Sequence, residues 1–355
     1  MTQCLTNGVF NMRLDVADLP EVSALALRLT TFLFPYLQPV DAPREVDLDL
    51  QLLPISDFNP SWKACCTQAA VIRETYAEGF TLRVMRGWLP DGRLVAWDEE
   101  RQVGYVIHQA SRQVKFHGDH RAFIHIIELV RYYGLLVEQG QGTAILHAAA
   151  TLHPTTGEAQ AVAGIKGAGK TTTMLGRVLD EGHTYFSGDK LLLDLVEGRV
   201  RARGWPDFPH IGLGTLRQFP SLVEALSREP GEGLAGRLHP DLPDQHKILI
   251  PPELFARLLG RSPMGRTWLG GVLLPEVMVD APLRSRRLSR DAIQQVLAER
   301  SIFEWPHTFI TSTWHGMPPS GAGLTHHLSP ALVQALCELP WTRASGRAQR
   351  QPAAV

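Results

Sequence analysis

Residues 161–173 read Ala161-Val162-Ala163-Gly164-Ile165-Lys166-Gly167-Ala168-Gly169-Lys170-Thr171-Thr172-Thr173, with a complete G-x-x-x-x-G-K-T string from Gly164 to Thr171. Glycines at this spacing let the backbone curl into a nest whose N–H groups point inward at phosphate oxygens. A helix starting where the nest ends adds its positive N-terminus. In this reading Gly164, Ile165, Lys166, Gly167, Ala168 and Gly169 cradle the phosphates, with Thr172 in the first helical turn. Lys170 reaches the β- and γ-phosphates, and the Thr171 hydroxyl holds Mg²⁺. The string gains its meaning from context. Ala159 to Ala163 is a short, mostly apolar run suited to a buried strand, and Thr171 to Asp180 is compatible with a helix closed by Gly182. Strand, loop and helix in that order point to an α/β fold.

The flanks extend the pattern. Thr143 to Leu152 is rich in small and apolar residues and is followed by the turn Pro154-Thr155-Thr156-Gly157-Glu158, which predicts a β-hairpin feeding the glycine loop. After the loop helix, Gly182 to Ser187 reads as another strand, with Asp189 just past its end. Ligands in such sheets gather at the carboxyl ends of strands, so Asp189 is placed to meet magnesium or an attacking hydroxyl. Asp194 competes for that role, because an apolar run ending in Asp is the usual second nucleotide motif. The segments 191–196 and 199–203, joined by Glu197-Gly198, read as a hairpin that carries Asp194 away. Asp189 is therefore preferred.

Composition sets the outer limits. A chain of 355 residues with 44% hydrophobic content favours two domains, or one large domain with an appendage, with sizeable cores. A net charge of −1 supplies no global field toward nucleic acid or an anionic membrane, so neither is expected as a partner. Cys4, Cys65, Cys66 and Cys337 form no C-x-x-C pair, which suits a reducing cytosol. With no leader-like start and no 18-residue apolar run, a cytoplasmic protein is expected. Short, partly alternating segments at 46–53, 80–85, 94–97, 102–107 and 113–116 describe a small β-rich domain over residues 1–120. From Arg121 the period turns helical, through Phe123, Ile124, Ile127, Val130, Leu135 and Leu136. A nucleotide-binding domain is expected over 121–343, with a disordered tail at 344–355.

The order of these segments resembles a known family. Leu146-His147-Ala148-Ala149-Ala150, the turn, the glycine loop and Gly182-His183-Thr184-Tyr185-Phe186-Ser187-Gly188-Asp189 succeed each other as in HPr kinase/phosphorylase. The likeness is greater to the HPr-kinase-related proteins of bacterial peptide-modification systems, including kinases that phosphorylate lasso-peptide precursors. It covers roughly residues 140–215. The resemblance implies a P-loop kinase core akin to phosphoenolpyruvate carboxykinase, with a mixed β-sheet, preceded by the smaller β-rich domain. It implies ATP and Mg²⁺, with phosphate moved to a hydroxyl on a peptide, a protein or a small molecule. It also admits a homo-oligomer. In that family the histidine matching His147 lies near the transferred phosphate, and paired aspartates serve as base and metal-associated group. Here Gly188 stands in the first aspartate's place, leaving Asp189. The catalytic candidates are thus Asp189, His147 and Lys170, and the metal candidates Thr171 and Asp189.

Other features carry less. The Gly204-to-Thr215 segment is dense in glycine, proline and aromatics, and reads either as an acceptor-pocket lining or as a structural corner. Residues 228–247 read as a solvated loop or as a lid delivering Arg237 or Lys247 to the phosphates. Arg284, Arg286, Arg287 and Arg290 make a local basic patch before a helix over 291–300. His117, His120, His125 and Glu128 lack the H-E-x-x-H or Cys/His framework of a zinc site. A missing N-K-x-D motif argues against a GTPase, and a missing L-S-G-G-Q signature against a transporter ATPase. Two function classes remain: a kinase acting on a hydroxyl, and a nucleotide-binding accessory or regulatory ATPase.

Overall fold

The computed structural model describes residues 1–41, 43, 45–74, 80–228, 237–239, 241–260, 262–278, 281–299, 301–305, 314–318 and 327–346. They form a mixed α/β chain with two large sheets. The chain divides into two compact units. One comprises Met1–Thr75, Gly79–Thr143 and Trp305–His326; the other comprises Tyr76–Glu78, Ala144–Glu304 and His327–Val355.

The first unit is built on nine strands. They are β1 (Thr2–Thr6), β2 (Asn11–Val16), β3 (Gln38–Val40), β4 (Leu48–Leu53), β5 (Gln68–Glu74), β6 (Thr81–Trp88), β7 (Leu94–Asp98), β8 (Val103–His108) and β9 (Gln113–His117). Their order across the sheet is β3-β1-β2-β4-β9-β8-β7-β6-β5. The joins β2–β4 and β4–β9 are parallel and the others antiparallel. Alternation sets the buried face: Met12, Leu14 and Val16 on β2 and Leu48, Leu50 and Leu52 on β4 all point into the core. Helix α1 (Pro20–Leu33) packs against β2 and β4. It opens with proline at its start and Glu21 in its first turn, and buries Val22, Leu25, Leu29 and Phe32 at helical spacing. It also meets α2 (Phe123–Gly140), where Phe32 and Phe123 pack edge to face with centroids 5.8 Å apart. The five strands expected in this region correspond to β4, β6, β7, β8 and β9.

The second unit contains β10 (Ala144–Leu152), β11 (Ala159–Ala163), β12 (Thr184–Ser187), β13 (Lys190–Val196), β14 (Arg199–Gly204), β15 (His210–Gly212), β16 (Lys247–Leu249), β17 (Arg266–Val277), β18 (Arg284–Arg287), β19 (Phe303–Glu304) and β20 (Trp341–Gly346). Both expected hairpins are present: β10 pairs antiparallel with β11, and β13 with β14. The long strands β10 and β17 are each shared between two arms. Pairing therefore runs from β11 through β10, β13, β14 and β17, and returns to β11 by a parallel join. The loop helix α3 (Lys170–Asp180) packs on β10, β11 and β12. Its Met174 and Leu175 enter a core with Ala149, Tyr185, Ile211, Leu213 and Phe255.

The C-terminal end differs in part from expectation. Ala344, Ser345 and Gly346 complete β20, which lies between β17 and β18, because backbone pairing on both sides orders a polar sequence that has no apolar period of its own. The rest of the tail, from 347, lies outside the described residues. Among the described residues, no helix is long and apolar enough to cross a membrane.

Candidate functional site

The site grows from the end of β11. Buried Ala161, Val162 and Ala163 anchor the strand, and the chain then turns through the glycine loop into α3. Gly167 and Gly169 adopt φ of +87° and +96°, a region that side-chain-bearing residues avoid. Gly169 is constrained twice, since a Cβ there would come within 2.2 Å of Val277 Cγ2. The end of β17 thus presses on the loop, and the Val277 N–H donates to the Ala168 carbonyl at 3.2 Å. Thr172 ties the first turn of α3 to the segment after β15 through a 2.9 Å hydroxyl contact with Thr215.

Lys170 begins the helix and folds back over the loop. Its Nζ donates to the carbonyl oxygens of Gly164 (2.8 Å) and Ile165 (3.1 Å). Burial pushes this ammonium down to about 8; Asp189 and Glu304 pull it upward, while Lys247 and Lys190 push it further down. Those four charged groups accordingly share the neighbourhood of the loop lysine.

His147, Asp189, Lys190 and Glu304 form a closed ring of polar contacts. His147 lies on β10 opposite Lys190 on β13, and its backbone N–H donates to the Ile302 carbonyl at 2.8 Å. Its Nε2 is 3.3 Å from Asp189 Oδ1, and its Nδ1 is 3.3 Å from Glu304 Oε1. Lys190 Nζ closes the ring, at 2.7 Å from Asp189 Oδ2 and 3.3 Å from Glu304 Oε1. Lys190 and Glu304 are nearly buried, at 8% and 11% exposure, whereas Asp189 keeps 41%. The carboxylate that can be reached from outside is therefore Asp189. Burial opposes its charge, but the Lys190 ammonium and the His147 hydrogen bond outweigh that and hold it well below the usual carboxylate range.

Of the sequence-predicted residues, the structure brings His147 and Asp189 into direct contact and places Lys170 within their electrostatic reach. Asp194 sits elsewhere, between Arg201 (2.9 and 2.6 Å) and Arg203 (3.4 Å) on the hairpin. Sequence reasoning missed Lys190 and Glu304. Lys190 was legible as the residue after Asp189 at the start of a strand; Glu304 had no signal, because β19 is two residues long. Thr171 and Asp189, a hydroxyl and an ionised carboxylate, are a donor set that suits a hard cation such as Mg²⁺.

The remaining candidates lie in ordinary structural roles. In the first unit, His125 is fully buried, with Nε2 2.8 Å from Asp98 and Nδ1 3.0 Å from the Tyr105 hydroxyl. Glu128 pairs with Arg131 and Arg73. Among the described residues, no group of three or more His, Cys, Asp or Glu side chains is arranged to hold a metal ion. In the second unit, Arg284, Arg286 and Arg287 are exposed on β18. Residues 229–236 and 240 of the expected lid lie outside the described residues; Arg237 donates to the Leu249 carbonyl at 2.7 Å, and Lys247 begins β16. The Gly204-to-Thr215 segment buries Trp205 completely and supplies β15, which pairs with β16. No protein-family model matches the chain, and no curated protein matches it significantly.

Proposed function

We propose that the second unit is an ATP-dependent phosphotransferase of the P-loop kinase type, resembling HPr kinase, that moves the γ-phosphate to a hydroxyl on a peptide, a protein or a small molecule. What supports this reading is the glycine loop closed by Lys170, together with the charges of Asp189, Lys190 and Glu304 that act on that lysine and belong to the ring around His147. Phosphoryl transfer needs positioning, charge neutralisation and a group to take the hydroxyl proton. Lys170 and the loop amides neutralise the β- and γ-phosphate oxygens. Mg²⁺, held by Thr171 and Asp189, supplies further charge neutralisation when bound. His147, with its ring nitrogens against two carboxylates, holds Asp189 in place. Lys190 keeps Asp189 ionised, and Glu304 fixes His147.

The test is incubation with γ-labelled ATP and serine-containing peptides encoded beside the protein, following label transfer against phosphate release. Transfer is expected, with a loss on the order of 100-fold or more in Lys170→Ala. Phosphate release without transfer favours the accessory ATPase instead. Nucleotide binding with neither outcome makes the unit a sensor.

A further inference from the structure

Strand β18 reads Arg284-Ser285-Arg286-Arg287 and has no apolar side chain to bury. Among the described residues it pairs with β20, where Arg284 stands opposite Ser345, Arg286 opposite Arg343 and Arg287 opposite Thr342. It is the last strand of its sheet, so alternate backbone N–H and C=O groups face away from β20. Arg286 and Arg343 are like charges directly opposite each other, an arrangement that costs stability. All of Arg284, Arg286, Arg287 and Arg343 are exposed, and among the described residues none makes an ion pair or a side-chain hydrogen bond. An edge carrying unpaired arginines repels a second copy of itself and matches a strand that brings carboxylates.

This edge begins beside the glycine loop. Val277, which presses on Gly169, pairs with Gly346 on β20; in the next row Glu276, Ser345 and Arg284 stand side by side. Strands lie about 4.8 Å apart, so Arg284 is about 10 Å across the sheet from Glu276, the neighbour of the residue that braces the loop. Two large apolar side chains are left exposed at this end, Met278 just past Val277 and Leu283 just before Arg284.

We propose that the β18 edge docks the phosphoryl acceptor, and that the acceptor is an extended acidic peptide segment added as a strand, with carboxylates two residues apart facing Arg284 and Arg286. This rests on the phosphotransferase reading and narrows its acceptor to a hydroxyl near such a segment. An extended chain advances about 3.3 Å per residue, so the accepting hydroxyl lies within about six residues of the acidic pair. Backbone pairing supplies affinity, and the alternating arginines supply selection and register. Nucleic acid is the poorer match, because a net charge of −1 adds no wider field to these few arginines.

The experiment measures binding to the full chain, by fluorescence anisotropy, of a labelled peptide with one serine four residues before Glu-Ala-Glu. Its Gln-Ala-Gln counterpart and a single-stranded oligothymidylate are the comparisons, with Mg-ATP binding followed by calorimetry and transfer from γ-labelled ATP to the serine followed in parallel. The glutamate peptide is expected to bind about tenfold more tightly than the glutamine peptide and to take up the label. The variant Arg284→Glu/Arg286→Glu should lose that preference, retain Mg-ATP binding and favour a Lys-Ala-Lys peptide instead. A merely structural role for the two arginines would not produce this exchange. Equal binding of the glutamate and glutamine peptides, or tighter binding of the oligothymidylate, overturns the inference; with Mg-ATP still bound, the proposed function stands. Selective docking without label transfer overturns the acceptor role of the edge, and if Mg-ATP is not taken up either, the proposed function falls with it.

Discussion

Two glycines of the loop differ in what surrounds them, and that difference is measurable. Gly167 has open space where a Cβ would stand, so Gly167→Ala meets only the backbone cost of a positive φ, about 1 kcal/mol. Gly169→Ala adds a collision with Val277, and is expected to cost about 3 kcal/mol and to abolish nucleotide binding. Denaturant titration of the two variants checks the order; equal costs would mean that β17 does not brace the loop. Lys170 makes a prediction in pH. Its folded pKa of about 8 lies below the ordinary 10.5, so the folded chain carries fewer protons than the unfolded chain between those values, and stability from this group rises with pH across that window. A bound polyphosphate favours the charged ammonium. Binding of Mg-ATP at pH 9 should therefore take up a proton and weaken as pH climbs further, whereas at pH 6 no uptake at Lys170 is expected. Calorimetry in buffers of different ionisation enthalpy reads this directly, and an absence of buffer dependence at pH 9 would contradict it.

Elements decide which aspartate serves which purpose. The β13–β14 hairpin places Asp194 opposite Arg201 with Arg203 at its side, and Arg203 is almost wholly buried. Asp194→Asn is expected to cost about 2 kcal/mol of stability while leaving turnover within a few-fold, because it weakens a largely shielded charge pair with Arg201 and Arg203 that includes no member of the ring around His147. Asp189→Asn should do the reverse, removing turnover with little change in melting, since Lys190 keeps Glu304 as a partner. Melting curves and turnover for the two variants separate the roles; a stable, inactive Asp194→Asn would reverse the assignment. The hairpin was legible in the sequence because Glu197-Gly198 is a strong turn signal between two strand-like runs. The ring around His147 was only half legible. His147 and Asp189 stand beside recognisable motifs, but Glu304 arrives on a two-residue strand whose pairing with β10 joins residues far apart in sequence.

At the scale of the whole molecule, the sequence made the alternation of β-rich and nucleotide-loop regions visible, and the helix at 123–140 stood out by its period. The sequence reading put that helix at the head of the nucleotide-binding domain, whereas it packs with α1 and β5 in the first unit, because membership is decided by the surfaces a helix packs on. The return of residues 314–318 to the first unit is equally a matter of tertiary contact, as in the Arg86 bond to the Trp314 carbonyl. Two compact units also mean that melting need not be a single cooperative event. Nucleotide binding to the second unit should raise the stability of that transition alone, by about 2.7 kcal/mol at a ligand concentration 100 times Kd.

Calorimetric titration of the full-length protein with Mg-ATP tests the central claim most directly, with Lys170→Ala as the paired variant. Saturable binding by the unaltered protein, lost or strongly weakened in the variant, is the predicted result. A folded protein that takes up no Mg-ATP, or a variant that binds it equally well, would contradict the assignment of residues 164–172 as a phosphate-binding loop.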